Sequence, residues 1–308
     1  MTSLERRRRR EIGVEPRLAR MDAGPSPLTS WTLDPVQLVA IAVVGFLYAR
    51  RARTLAARGA PVESWKRWSF AIGLGLVAFA TASPVHALGE EQFFWAHMVQ
   101  HVLVGDLAPL AIVAGLTGPL LRPLLSFPVV GGLRALAHPL VALPVWALNL
   151  YVWHVPLFYE AAVRHDAVHA LEHVLFFACG ALMWAPVVEV LPGPAWFGTG
   201  AKALYMVAVR VVEAVLGNVL LWSGAVFYGV YEQPIERWGI SALADQRIAG
   251  AVMMIEGSVV TLLALAWLVL RWAKESELRQ ELIERGLDPA SVSRAVRYGR
   301  SEELAGPR

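Results

Sequence analysis

His97-Met98-Val99-Gln100-His101 and, roughly seventy residues later, His165-Asp166-Ala167-Val168-His169-Ala170-Leu171-Glu172-His173 are the stretches whose residue types and spacing point to chemistry. Each repeats histidine every fourth residue, which on a helix sets the imidazoles on one face with Cβ atoms about 5–6 Å apart. Neutral imidazole is the commonest metal-ligating side chain. Two such pairs meeting in one bundle therefore supply four ligands, His97, His101, His169 and His173. His154, in Trp153-His154-Val155-Pro156, is a fifth candidate. Met98 adds a thioether, which would favour Cu(I), although methionine on an apolar helix is first of all a packing residue.

The elements that must position these residues are membrane spans. Of 308 residues 56% are apolar and 17% charged, and the mean hydropathy is +0.48. Seven apolar segments lie near the length of about 20 residues that crosses a bilayer, where only helices and closed barrels satisfy the backbone. The segments are continuous, not alternating, so they predict helices, at about 35–50, 67–83, 93–116, 137–153, 167–190, 202–228 and 248–271. Asp34-Pro35 reads as a cap with proline in the first turn, and Pro109 predicts a kink in the third span.

The expected fold is an all-α bundle of seven transmembrane helices over residues 31–272. A polar tail precedes it at 1–30, and a charged C-terminal tail of one or two short amphipathic helices follows at 273–308. Met21 is the favoured start, which would remove the Arg6–Arg10 run; a disordered basic tail is the alternative. Lys and Arg gather after spans 1, 3, 5 and 7, for example Arg50, Arg51, Lys66 and Arg67 after the first. The positive-inside rule then sets the N-terminus outside and the C-terminus in the cytoplasm. The single cysteine, Cys179, excludes an internal disulfide and any paired-cysteine motif.

In this topology spans 3 and 5 run the same way, so their histidine pairs enter at similar depth, each covering about 6 Å of rise. His154 closes the same outer end of span 4. His86, His138 and His165 read as interfacial histidines. A deeper polar set comprises Asp106, Arg210, Glu213, Asn218 and Glu256. Charge at a bilayer centre costs about 2.5–3.5 kcal/mol, so such groups face the bundle interior and pair. Arg210 and Glu213, three apart, suit an ion-pair lock between spans 6 and 7, with a proton or ion path as the functional alternative.

The chain resembles the multi-spanning CtaG family of cytochrome c oxidase assembly factors. The matching motifs begin with Trp31-x-x-Asp34-Pro35, His97-x-x-x-His101 with Ala108-Pro109, and Trp153-His154-x-Pro156-x-x-Tyr159. They continue through His169-x-x-x-His173, Phe176-Phe177, Trp184-x-Pro186, Tyr228-x-x-Tyr231, Trp238-Gly239 and Asp245-Gln246-x-x-x-Gly250. The resemblance covers about residues 31–270. It implies a seven-span protein of the bacterial plasma membrane, needed to mature a haem–copper oxidase by handling copper for its oxygen-reducing centre.

The leading expectation is a non-enzymatic assembly factor that binds copper at the outward-facing histidines, with Glu172 and Asp166 orienting the imidazoles from behind. Its expected partners are haem–copper oxidase subunits, membrane lipid and a copper donor, with no nucleic acid. The alternative is a bis-histidine haem protein that carries electrons in the membrane. A di-iron oxidase fits less well because no two histidines are adjacent, and a transporter because no inverted repeat is visible.

Overall fold

In a computed structural model that describes residues 29–125, 127, 135–191, 193–231 and 239–297, no strand occurs among the described residues. Arg6–Arg10, Met21, Arg237 and Trp238 lie outside the described residues. The first six helices are α1 (Pro35–Ala57), α2 (Ser64–Ala82), α3 (Pro84–Glu91), α4 (Phe94–Val102), α5 (Ala108–Gly115) and α6 (Gly118–Leu125), with a π turn at Leu103–Leu107 joining α4 to α5. Then follow α7 (Pro139–Trp153), α8 (Pro156–Arg164), α9 (Asp166–Val188), α10 (Thr199–Trp222), α11 (Ala242–Glu284) and α12 (Pro289–Arg297).

Five helical stretches are long and apolar enough to cross a membrane, or up to seven if each of two bent pairs is one span. The pairs are α2 with α3, bent by 48°, and α7 with α8, bent by 71°. Both breaks fall where a proline forces the preceding residue out of the helical region. Ser83 sits at ψ 169° and Val155 at ψ 129°. Polarity is inverted relative to a water-soluble protein: His97, Gln100, Glu172 and Lys202 are buried while Leu204, Val211 and Leu262 are exposed. A multi-pass membrane protein shows this pattern, because contiguous apolar surface of this extent needs an apolar environment.

The kink expected at Pro109 is the π turn. In an α-helix the carbonyl of Gly105 would accept from the residue at 109, and proline has no N–H to give. The chain opens by one residue instead, as π-bulges do. The Gly105 carbonyl then lies against Gly180 of α9. A Cβ at Gly180 would run into that oxygen and approach Pro109 Cγ to 3.2 Å. This contact between small residues lets the two backbones meet, and it pins α9 to the π turn one turn beyond His101. The α10–α11 pair closes in the same way, since a Cβ on Gly250 would come within 2.7 Å of the Gly217 carbonyl oxygen.

Two expectations on helix ends are revised. The sixth span ends at Trp222, not near 228, and the seventh continues unbroken to Glu284, past Trp272. Residues 258–285 contain neither Gly nor Pro, and an Arg271–Glu275 pair spaced i,i+4 holds the extension. Gly286, at φ 85°, ends it. Leu282 then packs on Val292 and Val296 of α12. At the same end Glu189 ties α9 to α10 and α11 through Lys202 at 2.8 Å and Arg271 at 2.6 Å.

The Gly105–Gly180 contact makes a direct prediction. Gly180→Ala should destabilise the purified protein by about 1–3 kcal/mol, as overpacking does. Gly75→Ala, at an exposed helical glycine with no heavy atom within 4 Å among the described residues, should be neutral or stabilising by up to about 1 kcal/mol. Thermal unfolding in detergent compares the two, and equal melting temperatures would remove the role given to this contact.

Candidate metal centre

The head of α4 is held by a residue from the far side of the sequence. Phe93, its N-cap residue, has no side-chain acceptor, and the first free amides need one. Asp245, in the first turn of α11, supplies both oxygens: Phe94 N donates at 2.8 Å and Trp95 N at 3.0 Å. The neighbouring Gln246 fixes the 223–231 loop, accepting from Phe227 N at 2.8 Å and donating to Ala225 O at 2.9 Å. Gly89 brings α3 down onto α4, since a Cβ there would stand 2.9 Å from both Cα and N of His97.

Between α4 and α9 these constraints gather His97, His101, His169 and Glu172, one ligand atom of each lying within 4.8 Å of the others. His97 Nε2 is 3.9 Å and His101 Nε2 3.5 Å from Glu172 Oε2. These are long for hydrogen bonds but close to the separation of about 3.4 Å between two ligands of a tetrahedral ion at 2.0–2.1 Å. His97 and Glu172 side chains are 0% exposed and that of His101 5%. Both ring nitrogens of His97 and His101, Nε2 of His169, and both Glu172 oxygens have no hydrogen-bond partner among the described residues. Each such buried group costs about 1–3 kcal/mol. A cation bound between them satisfies the set at one point.

The surrounding hydrogen bonds prepare the ligand atoms. His169 Nδ1 lies 2.6 Å from Glu90 Oε1. An ionised carboxylate only accepts, so the network assigns the proton to Nδ1 and leaves the Nε2 lone pair facing the group. His154 Nδ1 donates to Leu150 O at 2.7 Å, which leaves its Nε2 likewise unprotonated. Tyr159 on α8 packs against His97, the ring centroids 5.1 Å apart. Its hydroxyl donates to Tyr231 at 3.1 Å, and Tyr231 donates to Gly89 O at 2.8 Å. Tyr228 donates to His154 O at 2.8 Å. Burial pushes the Tyr228 and Tyr231 phenols up, so both stay protonated donors.

Of the five expected ligands, His97, His101 and His169 converge. His173 stands beside them, its ring 4.1 Å from His169 and 5.6 Å from His101, and the His154 ring packs edge-on to Phe176 at 6.3 Å. Neither belongs to the four-residue group. Glu172, expected to support the imidazoles from behind, faces them: at i+3 from His169 it shares the same helix face. His86 is more than an interfacial histidine, since Gln100 Nε2 bonds its Nδ1 at 2.9 Å and its ring stacks on His169 at 5.9 Å. Met98 packs in the apolar core.

Glu90 and Gln100 were not singled out from the sequence as site residues, and Tyr159 and Tyr231 entered only as motif residues of the family resemblance. The i,i+4 relation of Glu90 to His86 was the available signal. The deeper polar residues form a separate set. Trp184 Nε1 donates to Asp106. Arg210 sits 3.5 Å from Glu213 and donates to Met254 O at 3.1 Å and Ser258 Oγ at 2.9 Å, joining α10 to α11. Asn218 bonds the Ala214 carbonyl one turn back. Asp106 and Glu213 lie within side-chain hydrogen-bonding reach of the Glu256 carboxyl.

The family model described as cytochrome c oxidase caa3 assembly factor matches residues 46–275. An uncharacterized protein of Mycobacterium bovis is 24% identical over 287 residues, covering 86% of this chain and 42% of its own length. One from Mycobacterium tuberculosis gives the same values. One from Mycobacterium leprae is 23% identical over 252 residues, covering 76% of this chain and 37% of its own. The chain thus spans about two fifths of the length of these relatives. No solved structure matches it.

Asp245→Ala removes both acceptors from the head of α4. The expected loss is about 0.5–2 kcal/mol, as for other N-caps, with faster hydrogen exchange at the Phe94 and Trp95 amides. Unchanged exchange at these two amides would show that Asp245 does not hold the helix.

Proposed function

We propose that this chain, which belongs to the cytochrome c oxidase caa3 assembly factor family, binds a copper ion at His97, His101, His169 and Glu172 as cargo for a maturing haem–copper oxidase. One observation carries the reading: three imidazoles and a carboxylate, buried together, whose facing atoms have no hydrogen-bond partner among the described residues. Imidazole ligands suit copper, and copper leads the affinity order of divalent metals for such sites. Four open ligand atoms with no thiolate among them suit a site that must also release its ion.

The remaining features of the reading follow from this role. The copper is passed on, not transformed, so the protein acts without enzymatic turnover. Its partners are the oxidase subunits and a copper donor, met at a bacterial plasma membrane. Counting each bent pair as one span gives seven, with the N-terminus outside and the C-terminus in the cytoplasm. Arg51, which donates to Pro119 O, lies at the end away from the histidines, which supports an outward-facing metal group.

Haem fits the site less well. Two imidazoles on one haem iron point end-on at it across the porphyrin plane, whereas His97 and His169 stack face to face at 5.2 Å and 25°. Elemental analysis with an absorption spectrum of the detergent-purified protein tests the assignment. About one copper per chain and no Soret band are expected. His97→Ala and His169→Ala should lose that copper while retaining the helical circular dichroism spectrum. Copper unchanged in both variants would end the assignment, and a Soret band would replace it with haem.

A further inference from the structure

Exposure rises in steps from the buried group to the surface. The side chains of His97 and Glu172 are 0% exposed, those of His101 and His169 5%, that of His86 14% and that of Glu90 26%. His86 and Glu90 are one turn apart on α3, with His86 Nε2 3.5 Å from Glu90 Oε2. That is again near the separation of about 3.4 Å between two ligands of one tetrahedral ion. Gln100 Nε2 bonds His86 Nδ1 at 2.9 Å. His86 Nε2 faces the carboxylate. With the Gln100 amide turned so that its Oε1, without a partner among the described residues, accepts from Nδ1–H, Nε2 keeps the lone pair that a cation needs. Asp166 adds negative charge toward His86.

Glu90 reaches both ways. Its Oε1 accepts a hydrogen bond from Nδ1–H of His169, a member of the buried group, while its Oε2 faces His86. The His86 ring lies 5.9 Å from that of His169, nearly parallel at 12°. A cation held between His86 Nε2 and Glu90 Oε2 therefore stands one imidazole away from the buried ligands. We infer that His86 and Glu90 form an outer loading station, which takes the copper ion from the aqueous phase and passes it inward past His169. The inference rests on the reading of His97, His101, His169 and Glu172 as the copper site, and adds the route by which the ion reaches them.

Two ligands capture an ion without holding it, whereas four enclosed ones hold it without easy access. Such a station governs the rate of filling, and of its two residues only Glu90 also bears on the filled state, through His169. His86 is therefore the residue to change, since it is outside the buried group. Apo-protein in detergent, mixed with cupric ion in a stopped-flow instrument and followed by quenching of tryptophan fluorescence, reads the filling rate. Equilibrium dialysis reads stoichiometry and affinity.

His86→Gln is expected to slow filling about tenfold, the lower end of the range for residues that support metal ligands, with stoichiometry unchanged. Glu90→Gln, which keeps an acceptor for His169 and removes the charge, should slow it as well. Filling of both variants at the wild-type rate and stoichiometry would overturn the loading station alone. Loss of stoichiometry in His86→Gln would also overturn it, by making His86 a ligand of the final site. Wild-type protein that takes up no copper would instead overturn the buried site on which the station depends.

Discussion

The approach of the Gly105 carbonyl to Gly180 sets the geometry on which the candidate centre depends. A helix in an apolar medium must satisfy its backbone internally, and Pro109 withholds the one N–H that Gly105 would need. The π turn that results carries this strip of backbone against α9, where the absence of a Cβ at Gly180 gives it room. Imidazole is a short side chain, so ligands from two helices can share an ion only if the backbones are this close. The pinned contact lies one turn beyond His101, and the histidine faces meet above it.

The other end of the centre is closed by the short halves of the two bent helix pairs. Ser83-Pro84 and Val155-Pro156 each bend a helix pair, and the short helices after them, α3 and α8, pack at the histidine end of the bundle. Tyr159 from α8 and Tyr231 from the following loop chain their hydroxyls to Gly89 on α3. Helix ends and loops leave backbone groups free, and here the Asp245-Gln246 pair and the tyrosines satisfy those around the site. The result is a buried group of ligands beneath the more exposed pair His86 and Glu90.

Much of this was legible in the residue pattern, and the remainder was not for physical reasons. Apolar length marked the spans, and spacing of four marked the two histidine pairs, because both follow from one helix at a time. His173 shares that spacing with His169, yet Glu172 takes its place in the group. Helix rotation about its axis decides between neighbours 100° apart, and only tertiary packing sets it. Glu90 was hidden for a similar reason: it meets His169 across 79 residues of sequence. The long α11 was cut short at Trp272 because hydropathy falls there, whereas helical propensity and the Arg271–Glu275 pair do not.

The charge of the assembled group bears on which ion it suits. Three neutral imidazoles contribute none, and Glu172 contributes one negative charge directly. Glu90 contributes a second through the hydrogen bond to His169, the arrangement that makes a ligating imidazole more basic. A cupric ion balances the two, so the filled site carries no net charge where burial makes net charge costly. A cuprous ion would leave one negative charge over, and would meet hard carboxylate oxygen where it prefers sulfur; Met98, the nearest thioether in sequence, is committed to the core. Rotation of Glu90 toward His86 would take its charge away from His169 and leave the inner ion undercompensated. The carboxylate that helps to hold the ion is thereby also the group whose movement would loosen it.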